Sequence, residues 1–293
     1  MLAQNDDSPA ARRRARTSCG ATPVFACRAD PRFGYCLYVP HTFDDDPAGH
    51  ALVVVMHGSG RTMEGYRDRF AAFGKYRRCV ILAPLFPIGP LGDGNAHGFK
   101  VLQEGGVRYD EVLLAMVDEV GALLGTQFGR FLLFGYSGGG HFAHRFFYLH
   151  PERLHAVSIG APGSVTLLDD SRDWWVGTRD LKARFGREID LAALRGVRVQ
   201  LVVGAADIEE WEINYADDSV QFVSGINDTG RTRIERIAAL AANLAKHGIR
   251  CRHDVVPNVA HEGAQVLPHV HDFFEQVLEE IAEPAPLAAP RAA

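Results

Sequence analysis

Short apolar runs recur along the chain, each closed by glycine, proline or acidic residues. Residues 51–56 read Ala-Leu-Val-Val-Val-Met, and comparable runs stand at 79–83, 131–134, 156–159 and 197–203, with a more mixed one at 251–256. Gly34-Tyr-Cys-Leu-Tyr-Val-Pro40 predicts a first strand, ahead of the turn-rich 44–49. Runs of this length without polar alternation predict strands covered on both faces, as in a parallel sheet.

Helical periodicity fills the intervals. Asp110 is a candidate cap for a helix whose Leu113, Met116, Val117, Val120 and Leu124 form one stripe. Thr232 and Glu235 have capping-box spacing, Ile234, Ile237, Leu240 and Leu244 continue one face, and Gly248 is a stop. Phe273, Phe274, Val277 and Ile281 mark a last helix. The alternation predicts an α/β class: a doubly wound, mostly parallel sheet with helices on both faces. Residues 31–282 are expected to form one such domain between disordered tails at 1–30 and 283–293. The interval 163–194 is too long for a simple crossover and carries Trp174-Trp175, so it is expected to be a lid or pocket wall, packing of buried tryptophans being the other reading.

Composition narrows the partners. With 31 basic and 36 acidic residues the formal charge is −5, which gives no footprint for nucleic acid or an anionic membrane. No run is long enough to span a bilayer. The basic stretch 12–16 is followed by no apolar segment, so no secretory signal is readable and a cytoplasmic protein is expected. Oligomeric state is not legible. The five cysteines show neither CxxC pairing nor metal-ligand spacing and read as reduced thiols, with a bridge among Cys19, Cys27 and Cys36 open if the chain is exported.

Chemistry enters at Gly135-Tyr136-Ser137-Gly138-Gly139, where an apolar strand meets the start of a helix with one serine at the apex. Glycine-any-serine-any-glycine is a weak pattern in a chain with 30 Gly. At a strand-to-helix turn it means more, because the flanking glycines let the two elements approach and the serine takes a strained conformation. A serine hydroxyl needs a base, and the base needs an orienting group. The 197–203 strand is followed by Gly204-Ala-Ala-Asp207, and the 251–256 strand by Pro257-Asn-Val-Ala-His261. Both groups therefore stand just past carboxyl-terminal strand ends. Glu209, Glu210 and Asp254 compete with Asp207, while the loop after the strand that follows the serine, Gly160-Ala-Pro-Gly163, offers no carboxylate.

The order Ser137, Asp207, His261, together with the serine turn, resembles the α/β-hydrolase superfamily. Within it the chain is similar to the esterase branch of polyhydroxybutyrate depolymerases, feruloyl esterases and predicted peptidases, over about residues 35–280. The resemblance implies a serine nucleophile, a catalytic triad, no cofactor and a small-molecule ester substrate. Val53-Val-Val-Met-His57-Gly58-Ser59-Gly60 looks like the strand and His-Gly turn that supplies an oxyanion donor, so the resemblance assigns the Ser59 and Gly138 amides to an oxyanion hole, with His57 shaping that turn and bordering the pocket. Tyr136, Trp174 and Trp175 are the aromatic pocket candidates, with Phe86 and Phe99 behind them; core packing is the alternative for each. His141 and His144, or His269 and His271, lack acidic or cysteine partners at matching spacing, so no metal is expected. Gly58-Ser-Gly60 lacks the third glycine of a dinucleotide fingerprint, position 63 being Met. Ester hydrolysis is the leading expectation; a prolyl-oligopeptidase-like peptidase, a triad-based lyase and a non-catalytic binding scaffold are the alternatives.

Overall fold

The computed structural model describes residues 17–219 and 221–282. The basic stretch 12–16 and the expected C-terminal tail 283–293 lie outside the described residues. Eleven strands are present: β1 (Gly20–Ala21), β2 (Phe25–Ala26), β3 (Gly34–Val39), β4 (Ala51–Met56), β5 (Cys79–Leu85), β6 (Gln103–Glu104), β7 (Val107–Arg108), β8 (Phe131–Tyr136), β9 (Leu154–Gly160), β10 (Arg198–Gly204) and β11 (Cys251–Val256). The α-helices are α1 (Met63–Arg77), α2 (Tyr109–Leu124), α3 (Gly138–Leu149), α4 (Leu181–Phe185), α5 (Leu191–Arg195), α6 (Arg233–Lys246) and α7 (Leu267–Ala282).

Nine strands form one sheet in the order β1-β3-β5-β4-β8-β9-β10-β11, with β2 also on β3. From β5 to β11 every pairing is parallel, and β3 runs antiparallel to β5. Helices cover both faces: α1 and α7 touch each other, α3 packs on β8 and β9, and α6 packs on β10 and β11. Burial follows from that cover. All residues of β8 are buried and all but the first of β4, whereas β11, on the sheet edge, is mostly half-buried or exposed. Its mixed sequence is the price of an edge position.

The position of the site follows from the path of the chain. It leaves β4 through α1 to β5 on one side, then returns to β8 on the other. The order reverses at β4, so the carboxyl ends of β4 and β8 border a crevice, the usual place for a ligand in a doubly wound sheet. His57 leaves one of these strands and Ser137 the other.

The capping box of α6 is present, with Thr232 Oγ1 accepting from Glu235 N–H, and Gly248 just past its end has φ +74°. Asp110 does not cap α2. The cap position is Arg108, and the Asp110 carboxylate is instead fully buried, accepting from Arg108 Nε (2.9 Å) and lying 2.8 Å from His150 Nε2. Burial raises its pKa, but the bonds to His150 and Arg108 outweigh that and hold it below the usual carboxylate range. Within the expected N-terminal tail of 1–30, the described residues include β1 and β2, which pair with β3. Cys27, Cys36 and Cys79 are buried thiols. No helix among the described residues is long and apolar enough to cross a membrane.

Candidate active site

Ser137 stands between β8 and α3 with φ 57° and ψ −118°, a region that side-chain-bearing residues rarely occupy. One long-range bond and the first turn of the helix hold it there. Its N–H donates to Gly160 O (2.9 Å), and its carbonyl accepts from His141 N–H (3.1 Å). The neighbouring glycines permit the turn sterically. A Cβ on Gly139 would lie 2.5 Å from Met56 O and 2.8 Å from His57 O, and one on Gly135 or Gly140 would run into backbone carbonyls still closer. The start of α3 therefore sits against the ends of β4, β8 and β9 at a separation only glycine tolerates.

The turn after β4 faces this helix start. A Cβ on Gly138 would be 2.9 Å from Ser59 N, so the Ser59 and Gly138 amides stand side by side. Neither N–H has a protein acceptor among the described residues. For Gly138 this is the ordinary condition of the first helical residue, and the helix dipole adds to its attraction for negative charge. His57 is fully buried; its Nδ1 donates to Gly58 O (2.8 Å) and its Nε2 accepts from Phe86 N–H (2.9 Å). Burial pushes its pKa down to about 4, so it is a neutral clamp on the turn. Arg61 adds a second clamp through Ser59 O (2.6 Å), Ala96 O (2.8 Å) and Phe86 O (3.2 Å), with its guanidinium 4.8 Å from the Phe99 ring centre.

The acid and the imidazole come from adjacent loops that are bonded together: Ala205 N–H donates to Val256 O and Ala206 N–H to Val259 O, both at 2.8 Å. Asp207 is fully buried, and its Oδ2 accepts from His261 Nδ1 at 2.6 Å. Its Oδ1 accepts from Arg233 Nη1 at 3.2 Å, and the other end of that guanidinium donates to Glu212 at 2.9 Å. Arg233 thus fixes one carboxylate oxygen and leaves the other for His261. The Tyr136 ring lies beside the imidazole, centres 5.2 Å apart. Two of the three competing acids are engaged elsewhere, Glu210 with Arg231 and Asp254 with Arg252 and Gln200, and Glu209 is exposed.

Ser59, Gly138, Ser137, Tyr136 and His261 line one cavity of about 610 Å³. A second cavity, of about 430 Å³, adjoins it and shares His97, Lys100, His141, Tyr215 and Gln221 with it. The sequence-predicted pocket residues divide. Tyr136 lines the first cavity and Trp175 the second, but His57 lies behind the turn, off both linings. Trp174 also lies off them, its Nε1 donating to Val101 O (2.9 Å) and its ring packed edge-on against Phe185. The interval 163–194 supplies only Gly163, Ser164 and Trp175 to the walls. The larger contribution comes from the irregular stretch after Asp207, with Trp211, Glu212, Ile213, Tyr215 and Gln221, which the sequence pattern did not announce. Arg233, Lys100 and Arg145 were missed as well. Of the histidines considered for metal, His141 Nε2 and His144 Nε2 accept backbone N–H groups of Gly163 and Thr166, and the His271 ring packs on Phe70 and Phe73. The described residues hold one cluster with ligand spacing, Asp110, Glu111 and His150, and Arg108 already occupies its carboxylates.

Sheet order, helix cover and the serine turn define an α/β-hydrolase fold. Solved structures share that fold: the chain superposes on poly(aspartic acid) hydrolase-1 from Sphingomonas sp. KT-1 with a TM-score of 0.70 at 20% identity, covering 87% of this chain and 98% of that one. A poly(3-hydroxybutyrate) depolymerase from Bordetella parapertussis gives 0.68 at 20% identity, covering 94% and 99%. An S-formylglutathione hydrolase from Agrobacterium tumefaciens gives 0.53 at 18% identity, covering 90% and 96%. No protein-family model matches the chain, and no curated protein matches it in sequence.

Proposed function

We propose that this protein is a serine hydrolase that cleaves carboxylic esters of small molecules through an acyl-enzyme. The observation that carries the reading is the joint lining of one cavity by Ser137, on its strained turn, and His261, whose Nδ1 is bonded to the buried Asp207. In this mechanism Ser137 Oγ attacks the ester carbonyl while His261 Nε2 takes its proton. Asp207 holds the imidazole with its proton on Nδ1 and stabilises the imidazolium, and Arg233 positions Asp207. The Ser59 and Gly138 amides receive the oxyanion; one such donor is typically worth about a hundred- to thousandfold in rate. The protonated His261 then returns its proton to the leaving alcohol, and a water activated by His261 releases the acid. No step calls for a cofactor. The names of the matched depolymerase and S-formylglutathione hydrolase support hydrolysis as the reaction class.

Amide cleavage is the second reading, favoured by the matched poly(aspartic acid) hydrolase. A fluorophosphonate probe tests the mechanism. Mass spectrometry should place the adduct on Ser137, and His261→Ala should abolish it; absence of labelling in the parent protein overturns the reading. Hydrolysis of a short-chain aryl ester with no cleavage of an aminoacyl anilide separates esterase from peptidase, and the reverse preference installs the second reading.

A further inference from the structure

The two adjoining cavities meet at a pair of cations, Lys100 and Arg145, that form no ion pair with any carboxylate among the described residues. Lys100 is half-buried on both linings, and its Nζ is 3.3 Å from His97 Nδ1. It makes no ion pair among the described residues. Arg145, fully buried, lines the second cavity. Its guanidinium bonds only neutral oxygens: Thr166 Oγ1 (2.8 Å), Ser164 Oγ (3.2 Å) and Lys100 O (2.5 Å). A buried guanidinium without a counter-charge is costly. Between them stands His141, on both linings. Its Nε2 accepts the N–H groups of Gly163 (2.6 Å) and Ser164 (3.1 Å), so the single ring proton is on Nδ1, which has no protein acceptor among the described residues.

The acids on these walls do not balance the charge. Glu212 is bound by Arg233; Glu104 keeps its charge, its oxygens accepting from Asn95 Nδ2 (2.7 Å) and Tyr109 Oη (2.6 Å), so one carboxylate that pairs with neither stands against the two cations Lys100 and Arg145. Burial, followed by repulsion from Arg61 and Arg145, pushes the Lys100 ammonium down to about 8, as expected for a cation among cations. It remains charged at neutral pH, with two N–H donors beyond the one directed to His97.

We propose that the substrate carries a free carboxylate, seated on Lys100 Nζ and His141 Nδ1 under the field of Arg145, while its ester carbonyl lies on Ser137. The geometry thereby selects half-esters of dicarboxylic acids, or esters of hydroxy acids, over neutral esters. A bound carboxylate supplies the counter-charge the walls lack and accepts from donors the protein leaves unused. This rests on the hydrolase reading for the position of the ester, but the anion site itself does not depend on turnover.

The test uses two matched pairs: monoethyl adipate against diethyl adipate, and 4-acetoxybutyrate against its ethyl ester. In at least one pair the free acid should exceed the neutral ester in kcat/KM by about tenfold or more, the scale of a charge-assisted hydrogen bond. Lys100→Met should collapse that ratio toward one, and Lys100→Arg should restore most of it; a general loss of folding or activity lowers both members and leaves the ratio unchanged. Adipate alone, titrated calorimetrically into Ser137→Ala, should bind, and adding Lys100→Met should remove the binding. Neutral esters preferred in both pairs, a ratio indifferent to Lys100→Met, or adipate binding that survives it would overturn the assignment. Lys100-dependent adipate binding in a protein that hydrolyses neither pair and is not labelled at Ser137 would overturn the hydrolase reading and leave the carboxylate site standing.

Discussion

The two halves of the crevice are built on different principles. On the Ser137 side, Gly135–Gly140 and the 57–61 turn are held by backbone: carbonyls pressed on glycines, N–H groups bonded to carbonyls, and a histidine and an arginine clamping the turn from behind. On the opposite side, the described residues between Asp207 and Arg233 form no helix or strand, and Trp211, Glu212, Ile213, Tyr215 and Gln221 among them line the wall. Backbone geometry preorganises groups that must meet developing charge. Side-chain walls can be exchanged without moving that machinery, which is how one fold serves many substrates.

Substitutions on the Ser137 side should therefore be severe, and those on the wall mild. Ser137→Ala is the largest expected effect on activity: kcat/KM on a cleaved ester should fall by about ten-thousandfold or more, while the melting temperature does not drop, since the strained turn loses only a hydroxyl. Retained turnover would remove Ser137 from the chemistry. Gly139→Ala tests the backbone itself. Its methyl group would meet two backbone carbonyls that cannot rotate away, so a loss of about 3 kcal/mol or more is expected, read as a fall in melting temperature of about 5 °C or more. A variant as stable as the parent would mean that the turn has slack, and the contrast between the two sides would weaken.

These differences also decide what could be read in the chain beforehand. The turn at Ser137, Asp207 just past one strand and His261 past the next were legible, because each follows an apolar run by a fixed, short distance. The parallel sheet was legible for the same reason. Helix α1 was not, because its buried face includes Arg67 and Gly74 beside Met63, Phe70 and Phe73 and so carries no clean apolar stripe. Asp110 misled because a carboxylate beside a helix start is ordinarily a cap, and here His150, forty residues away in sequence, recruits it into the core. The wall residues Trp211 and Tyr215 have no period to announce them. Lys100, Arg145 and Arg233 were passed over because charged residues face solvent by default. For Arg145 a signal did exist: the helix 138–149 carries no other Lys, Arg, Asp or Glu, and a lone charge in such a helix needs a partner or a purpose.

On the wall, Trp211 is 74% exposed although it lines the cavity. Trp211→Ala should leave the melting temperature within about 2 °C and change KM by severalfold with little change in kcat, the signature of uniform binding. A large fall in kcat would make the wall part of the chemistry and erase the distinction drawn above.

The smallest expected effect sharpens the boundary between the two sides, where Tyr136 stands. Its ring packs beside His261, it is 2% exposed, and its hydroxyl is buried with no hydrogen-bond partner among the described residues. An unpartnered buried hydroxyl costs free energy, and deleting it relieves that cost. Tyr136→Phe should therefore keep the melting temperature or raise it slightly, by a stabilisation of about 1 kcal/mol at most, because the ring retains its packing against the imidazole. If the ring alone matters, kcat also stays within about twofold. A fall in kcat with unchanged stability would give the hydroxyl a part in the reaction, and Tyr136 would then belong to the chemistry rather than to its walls.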